Sequence, residues 1–187
     1  MNDIADTDGA RAQATLPDGY SDRSTLQAPN RWQDADKVLV LDGASLDCET
    51  LVEAAAGRAE VRIAEVSVDR IRVGRALVER IAKSGVPAYG ITTGVGSQKD
   101  FAVAPDEMRA YNRRLARAHS SHAGGEFLPK HRVRAALVIL ANQFATGLTG
   151  VSGPLVDLIL NQINSAEMPD ISAHGTLSAS DLIPMAQ

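Results

Sequence analysis

Short apolar runs come first along this chain, and apolar stripes at helical spacing follow. Residues 37–43 (KVLVLDG) form a brief apolar run closed by Asp-Gly, the pattern of a strand entering a turn. Asp47 stands where a short acidic side chain caps a helix running through Ala56, and residues 60–65 (EVRIAE) read as a second strand that pairs with the first. From Ser67, in position for an N-cap, Val68, Ile71, Leu77, Val78 and Ile81 keep helical spacing until Gly85 and Pro87 stop it. Pro105 suits the first turn of the next helix, whose Met108, Tyr111, Leu115 and Ala118 are predicted to form one buried stripe. Pro129 opens another, with Val133, Leu137, Leu140 and Phe144 on one face before Gly147. Ser152 and Pro154 start the last, in which Leu155, Leu158, Ile159 and Ile163 are predicted to face inward until Pro169 ends it. The predicted fold is mainly α, with a small N-terminal α/β region leading into a bundle of long helices, some of whose members lie outside this chain. Residues 1–36, rich in Asp, Ala, Thr, Gly and Pro and poor in large apolar groups, are predicted to be a mobile arm, leaving 37–187 as the folded part.

Composition narrows the function classes. The 187 residues are 44% hydrophobic, enough for a core of their own. The net charge of −4, with Lys and Arg spread among Asp and Glu, gives no basic stripe for nucleic acid, so the expected partner is a small molecule or another protein. Cys48 is the single cysteine and has no partner for an internal disulfide. No apolar run approaches the roughly 18 residues of a membrane span, and no signal-peptide pattern opens the sequence, so a cytoplasmic setting is expected, with no membrane partner.

Two segments stand outside the helical pattern. In residues 88–101 (AYGITTGVGSQKDF), Gly90, Gly94 and Gly96 permit sharp turns or close approach of a ligand. The spacing is not a phosphate-binding fingerprint, and composition alone favours a flexible linker. Tyr89, at the entrance, reads unaided as a core aromatic, with a catalytic acid or base as the alternative. The closing stretch, residues 174–187 (HGTLSASDLIPMAQ), reads either as a surface turn in which Ser178 or Ser180 caps a helix near Asp181, or as a site of autocatalytic backbone cyclisation. In the latter, an amide nitrogen attacks a carbonyl two residues earlier and the intervening serine loses water, leaving an electrophilic methylidene; small residues permit the close approach. His119 and His122 are spaced for metal binding, but no third ligand follows, so no metal is expected. His131 and His174 read as surface or loop residues, and Arg113, Arg114 and Arg117 as a solvated helix face.

Four stretches together carry a family resemblance: LVLDGASLDCETLVEAAAG at 39–57, AYGITTGVG at 88–96, SSHAGGEFLP at 120–129, and the run from LTGVSGP at 148 to the final IPMAQ. In this order they closely resemble the aromatic amino acid ammonia-lyase and aminomutase family, which includes histidine, phenylalanine and tyrosine ammonia-lyases. The resemblance implies elimination of ammonia from an aromatic amino acid, histidine or tyrosine being favoured, through a 4-methylideneimidazol-5-one group formed from the chain itself. Re-addition of ammonia at the β-carbon would make the same site an aminomutase. Tyr89 matches the loop tyrosine that takes the substrate's β-proton, and Gly96 a glycine lying against the substrate. Because a phenol ionises only at a pH of about 10, a base of this kind needs surroundings that favour its anion.

Ser121 and His122 fall at the family's selectivity pair, where Ser-His resembles the histidine lyases, although some tyrosine aminomutases also carry a histidine. Ala179 and Ser180 match the first two residues of the Ala-Ser-Gly that forms the prosthetic group. The third position departs from the pattern, since Asp181 stands where the family has glycine. Three readings stand: a deletion that makes an inactive pseudoenzyme, an amide nitrogen supplied by Asp181, or a glycine lost from the written sequence. Family members also continue for several hundred residues and assemble as tetramers with shared active sites. The resemblance therefore implies a homotetramer, or a complementary C-terminal chain, and an inactive fragment when this piece is alone.

Overall fold

The computed structural model describes residues 37–119 and 125–173, so the expected arm at 1–36 and the closing stretch lie outside the described residues. Strand β1 (Val38–Leu41) leads through helix α1 (Cys48–Ala55) to strand β2 (Glu60–Ile63). The strands pair parallel, Val38 with Glu60 through Leu41 with Ile63, and α1 is the crossover that a parallel pair requires. Asp47 caps α1 as its sequence position predicts: its side chain accepts from the Thr50 backbone N–H at 2.8 Å, and the Thr50 hydroxyl reciprocates to complete a capping box.

Helix α2 (Glu65–Ser84) starts earlier than the sequence pattern suggests. Its N-cap is Ala64, not Ser67; Ser67 lies inside the first turn, fully buried, where its hydroxyl donates to the Asp42 carbonyl at 3.3 Å. A serine serves either role; here the Ala64 carbonyl already accepts from the Ser67 and Val68 amides, so the helix is under way before Ser67. Gly85 in the left-handed region ends α2 as anticipated.

Three more helices follow: α3 (Met108–His119), α4 (Lys130–Ala145) and α5 (Gly153–Asn164). Pro105 precedes α3 by one turn instead of lying within it, and Pro129 is the N-cap of α4. Helix α4 sits at the centre, packed by α1, α2, α5 and both strands. The core joins Leu41, Val61, Ile71, Val138, Ala141, Phe144, Val156, Leu160 and Ile163. On α5 the inward face is Val156, Leu160 and Ile163, whereas Leu155 and Leu158, predicted inward, are 40% and 62% exposed. A helix apolar on both faces gives sequence spacing two stripes to choose between. The helix also ends at Asn164, ahead of Pro169, with Ser165 as its C-cap.

Asn164 is the polar pin of this core. It is 1% exposed; its side-chain oxygen accepts from Val61 N–H and its amide nitrogen donates to Val61 C=O, each at 2.9 Å. It completes on one residue the pairing that a third strand would give β2. No described helix is long and apolar enough to cross a membrane.

Candidate functional site

The glycine-rich segment between α2 and α3 is a hydrogen-bonded loop, not the flexible linker that composition favours. Thr92 and Thr93 are buried. The Thr92 hydroxyl donates to Val86 C=O and accepts from Ala88 N–H, both at 2.7 Å, while the Ala88 carbonyl accepts from the amides of residues 91, 92 and 93. Further along, Gly94 N–H donates to Phe101 C=O at 3.0 Å and Val103 N–H to Thr92 C=O at 2.9 Å, around an antiparallel bridge between Thr93 and Ala102. A Cβ on Gly94 would lie 2.5 Å from the Gln98 carbonyl oxygen, so this glycine is required by space. Gly96 instead has open space around it but a φ of +58°, so there glycine is required by backbone conformation.

This frame presents Tyr89 outward. The residue is 66% exposed, which overturns the core-aromatic reading, and its hydroxyl oxygen accepts from Gly96 N–H at 3.0 Å. The sequence resemblance selects Tyr89 and Gly96 separately; the structure joins them by this bond. A second tyrosine reaches the same turn. Tyr111, in the first turn of α3, accepts at its hydroxyl from Val95 N–H at 3.2 Å. Sequence reasoning placed Tyr111 only in an apolar stripe, and that stripe is half-buried at Met108, Tyr111 and Leu115 and exposed at Ala118. The signal available was a hydroxyl-bearing residue in the first turn after a glycine-rich loop.

Ser121, His122, Ala179, Ser180 and Asp181 lie outside the described residues, as does His174. The chain on either side of them is nevertheless tied together. Leu128 N–H donates to Ile171 C=O and Ala173 N–H to Glu126 C=O, each at 2.8 Å, around an antiparallel bridge between Phe127 and Ser172. Beneath it Val133, Met168 and Ile171 form a small apolar cluster, and Lys130 donates to Met168 C=O at 2.9 Å and pairs with Asp170. Residues 126–128 and 171–173 are thus held side by side. His131 is exposed on α4. Among the described residues, no group of three or more His, Cys, Asp or Glu is arranged to hold a metal ion.

A parallel βαβ start, a pinned loop presenting a tyrosine, and helices around α4 define the class, and comparison with known proteins agrees. The family model for aromatic amino acid lyase matches residues 46–187, and the chain belongs to that family. Among curated proteins, histidine ammonia-lyase from Caldanaerobacter subterraneus subsp. tengcongensis is 38% identical over 151 residues, covering 80% of this chain and 30% of that protein. Histidine ammonia-lyase from Treponema denticola is 33% identical over the same shares. Among solved structures, tyrosine aminomutase from Streptomyces globisporus superposes with a TM-score of 0.73 at 26% identity, covering 80% of this chain and 28% of that one. Ergothionase from Treponema denticola superposes at 0.71 with 29% identity, covering 75% and 28%. The chain therefore spans about three tenths of the length of the curated relatives it matches.

Proposed function

We propose that this chain supplies the N-terminal part of a carbon-nitrogen lyase that eliminates ammonia from an aromatic L-amino acid, with Tyr89 as the base that takes the β-proton. The observation that carries this reading is the pose of Tyr89, an exposed phenol fixed at its oxygen by the Gly96 amide within a loop tied down on both sides. Eliminating ammonia requires taking a weakly acidic β-proton as the amine leaves, so the base must be held in place without being walled off. The Gly96 N–H fixes the oxygen while its remaining acceptor capacity faces outward. Histidine is the favoured substrate, with tyrosine next, because curated relatives at 38% and 33% identity are histidine ammonia-lyases. In this proposal Ser121 and His122 meet the substrate side chain and Gly96 its body.

The prosthetic group belongs to the proposal only in part. Ala179 and Ser180 fit the first two positions of a 4-methylideneimidazol-5-one; Asp181 does not fit the third, because ring closure demands a close approach that a Cβ obstructs. Assembly as a homotetramer, or with a complementary C-terminal chain, completes the same proposal. A second reading, an aminomutase that returns ammonia to the β-carbon, is favoured by the superposition on tyrosine aminomutase.

Intact mass with peptide mapping across residues 175–184 tests the electrophile. Loss of two waters from an Ala-Ser-Gly supports it, whereas an unmodified Ala-Ser-Asp leaves a pseudoenzyme. In the protein that carries this chain, ammonia release from L-histidine or L-tyrosine should fall about 10²–10⁴-fold on Tyr89→Phe. Undiminished turnover would rule out Tyr89 as the base, and a β-amino acid product would select the aminomutase.

A further inference from the structure

The Tyr111 hydroxyl has no part in the reading above, yet it binds the amide next to the one that holds Tyr89. Val95 is extended, with φ −119° and ψ 159°, so the N–H groups of Val95 and Gly96 point to opposite sides of the chain. Tyr111 takes the first from the half-buried side and Tyr89 the second from the solvent side. The peptide segment between the two phenols is therefore gripped from both faces. Gly96 has open space around it and a left-handed φ, and it opens a short turn in which the Val95 carbonyl accepts from Gln98 N–H at 3.1 Å and its own carbonyl from Lys99 N–H at 3.2 Å. Without the Tyr111 bond, the Val95–Gly96 peptide would be held only by Tyr89 at its N–H and by Gln98 at its C=O, with little steric resistance to rotation at Gly96.

From this geometry we infer that Tyr111 is a positioning residue for Tyr89, acting through the Val95 and Gly96 amides. The inference deepens the proposed function and rests on it for its catalytic meaning, but the mechanical coupling stands or falls independently. Three features suit Tyr111 to this role. Its backbone is anchored in α3, where its N–H donates to Glu107 C=O at 2.8 Å. Its ring is half-buried, which limits its own rotation. The loop beyond is closed by the Gly94–Phe101 and Thr92–Val103 bonds, so a fixed Val95 fixes the turn as a whole.

The test uses the full chain, labelled with ¹⁵N and with ¹³C at the tyrosine ζ-carbon, where the sequence offers only Tyr20, Tyr89 and Tyr111. Tyr111→Phe keeps the ring and removes the hydroxyl. Coupling predicts amide exchange about 2- to 10-fold faster at Val95 and, in the same range, at Gly96, which Tyr111 does not touch, together with a shift of the Tyr89 ζ-carbon resonance. Faster exchange at Val95 alone, with Gly96 and the Tyr89 resonance as in the wild type, would overturn the inference and leave Tyr111 a local anchor. Should Tyr111→Phe loosen α3, judged by circular dichroism, Tyr89→Phe reads the same coupling from the other side. Coupled phenols then speed exchange at Val95, and independent ones leave it at the wild-type rate. Turnover separates the two ideas. Exchange coupling with an active Tyr89→Phe enzyme removes the base but keeps the clamp, and an inactive Tyr89→Phe enzyme without coupling does the reverse.

Discussion

The block built from β1, α1, β2, α4 and α5 and the segment from Val86 through α3 are held by different forces. In the block, Leu41, Val61, Val138, Ala141, Val156 and Ile163 are essentially removed from water, and one buried amide, Asn164, joins α5 to β2. In the segment, the described side chains of α3 reach only half burial, and Tyr89 and Phe101 stay 66% and 69% exposed. Order there comes from hydrogen bonds: backbone pairing around the Thr93–Ala102 bridge, and single hydroxyl-to-backbone bonds made by Thr92, Tyr89 and Tyr111. Apolar burial is non-directional and shared over many groups, whereas each hydroxyl bond is local and separately removable. The block sets a rigid frame, and the loop can be adjusted pin by pin without unfolding it.

The largest break in this contrast should come from the block's buried polar pin, Asn164. Asn164→Ala leaves both the N–H and the C=O of Val61 buried without their partner, at a cost of about 3 kcal/mol in urea unfolding. A loss below about 1 kcal/mol would mean that water replaces the amide and that the α5–β2 joint is wetter than its burial indicates. Next in size is Gly74→Ala on α2. The new Cβ would stand 2.1 Å from the Gly147 carbonyl oxygen, which is backbone and cannot swing aside, so α2 must shift at a cost of about 2 kcal/mol. Gly85→Ala is its control, with nothing within 4 Å and only the φ of +71° to strain. It should cost about 1 kcal/mol, and an equal loss at both sites would deny the close α2 contact.

In the loop the corresponding change is Thr92→Val, which keeps the shape and removes the bonds to Val86 and Ala88. Exchange at the Ala88 amide should rise several-fold while the urea midpoint moves by less than about 0.5 kcal/mol equivalent. If the midpoint falls as far as it does for Gly74→Ala, loop and block unfold as one unit and the contrast between them is lost.

The same contrast explains what could be read in the sequence. The block was legible because burial leaves a periodic signature: the β1 run and the Asp47 cap lie where apolar spacing and capping chemistry put them, and the α4 stripe is buried at Val133 and Phe144 and half-buried at Leu137 and Leu140. It misled where a helix is apolar on two faces, as at Leu155 and Leu158, or where a cap residue is used inside the helix instead, as at Ser67. The loop has no periodicity, and its glycine and threonine content is equally that of a linker. Its order depends on which hydroxyl and which carbonyl meet which amide, a fact of three-dimensional placement that spacing does not encode. Tyr89 was singled out through the family resemblance, and its outward pose and the role of Tyr111 needed coordinates.

The smallest expected effect is on the rim of the block and is a pH effect. Glu53 on α1 accepts from Arg58 at 2.6 Å and from Lys37 at 3.3 Å, tying the helix to the residue just ahead of β1. Hydrogen bonding from Arg58, then from Lys37, holds its carboxyl down from 4.5 to about 2. Because the folded value lies below the unfolded one, the ion pairs stabilise fully above about pH 4.5, and that contribution is lost as pH falls toward 2. The pairs are solvent-exposed, so the effect is modest and salt weakens it. Urea midpoints of wild type and Glu53→Gln should differ at pH 6 and converge near pH 2, and the pH 6 difference should narrow in 1 M salt. A gap that stays the same at both pH values would show that ionisation of Glu53 contributes nothing to stability, since glutamine keeps the same stem, and the rim ion pairs would then add nothing to the block.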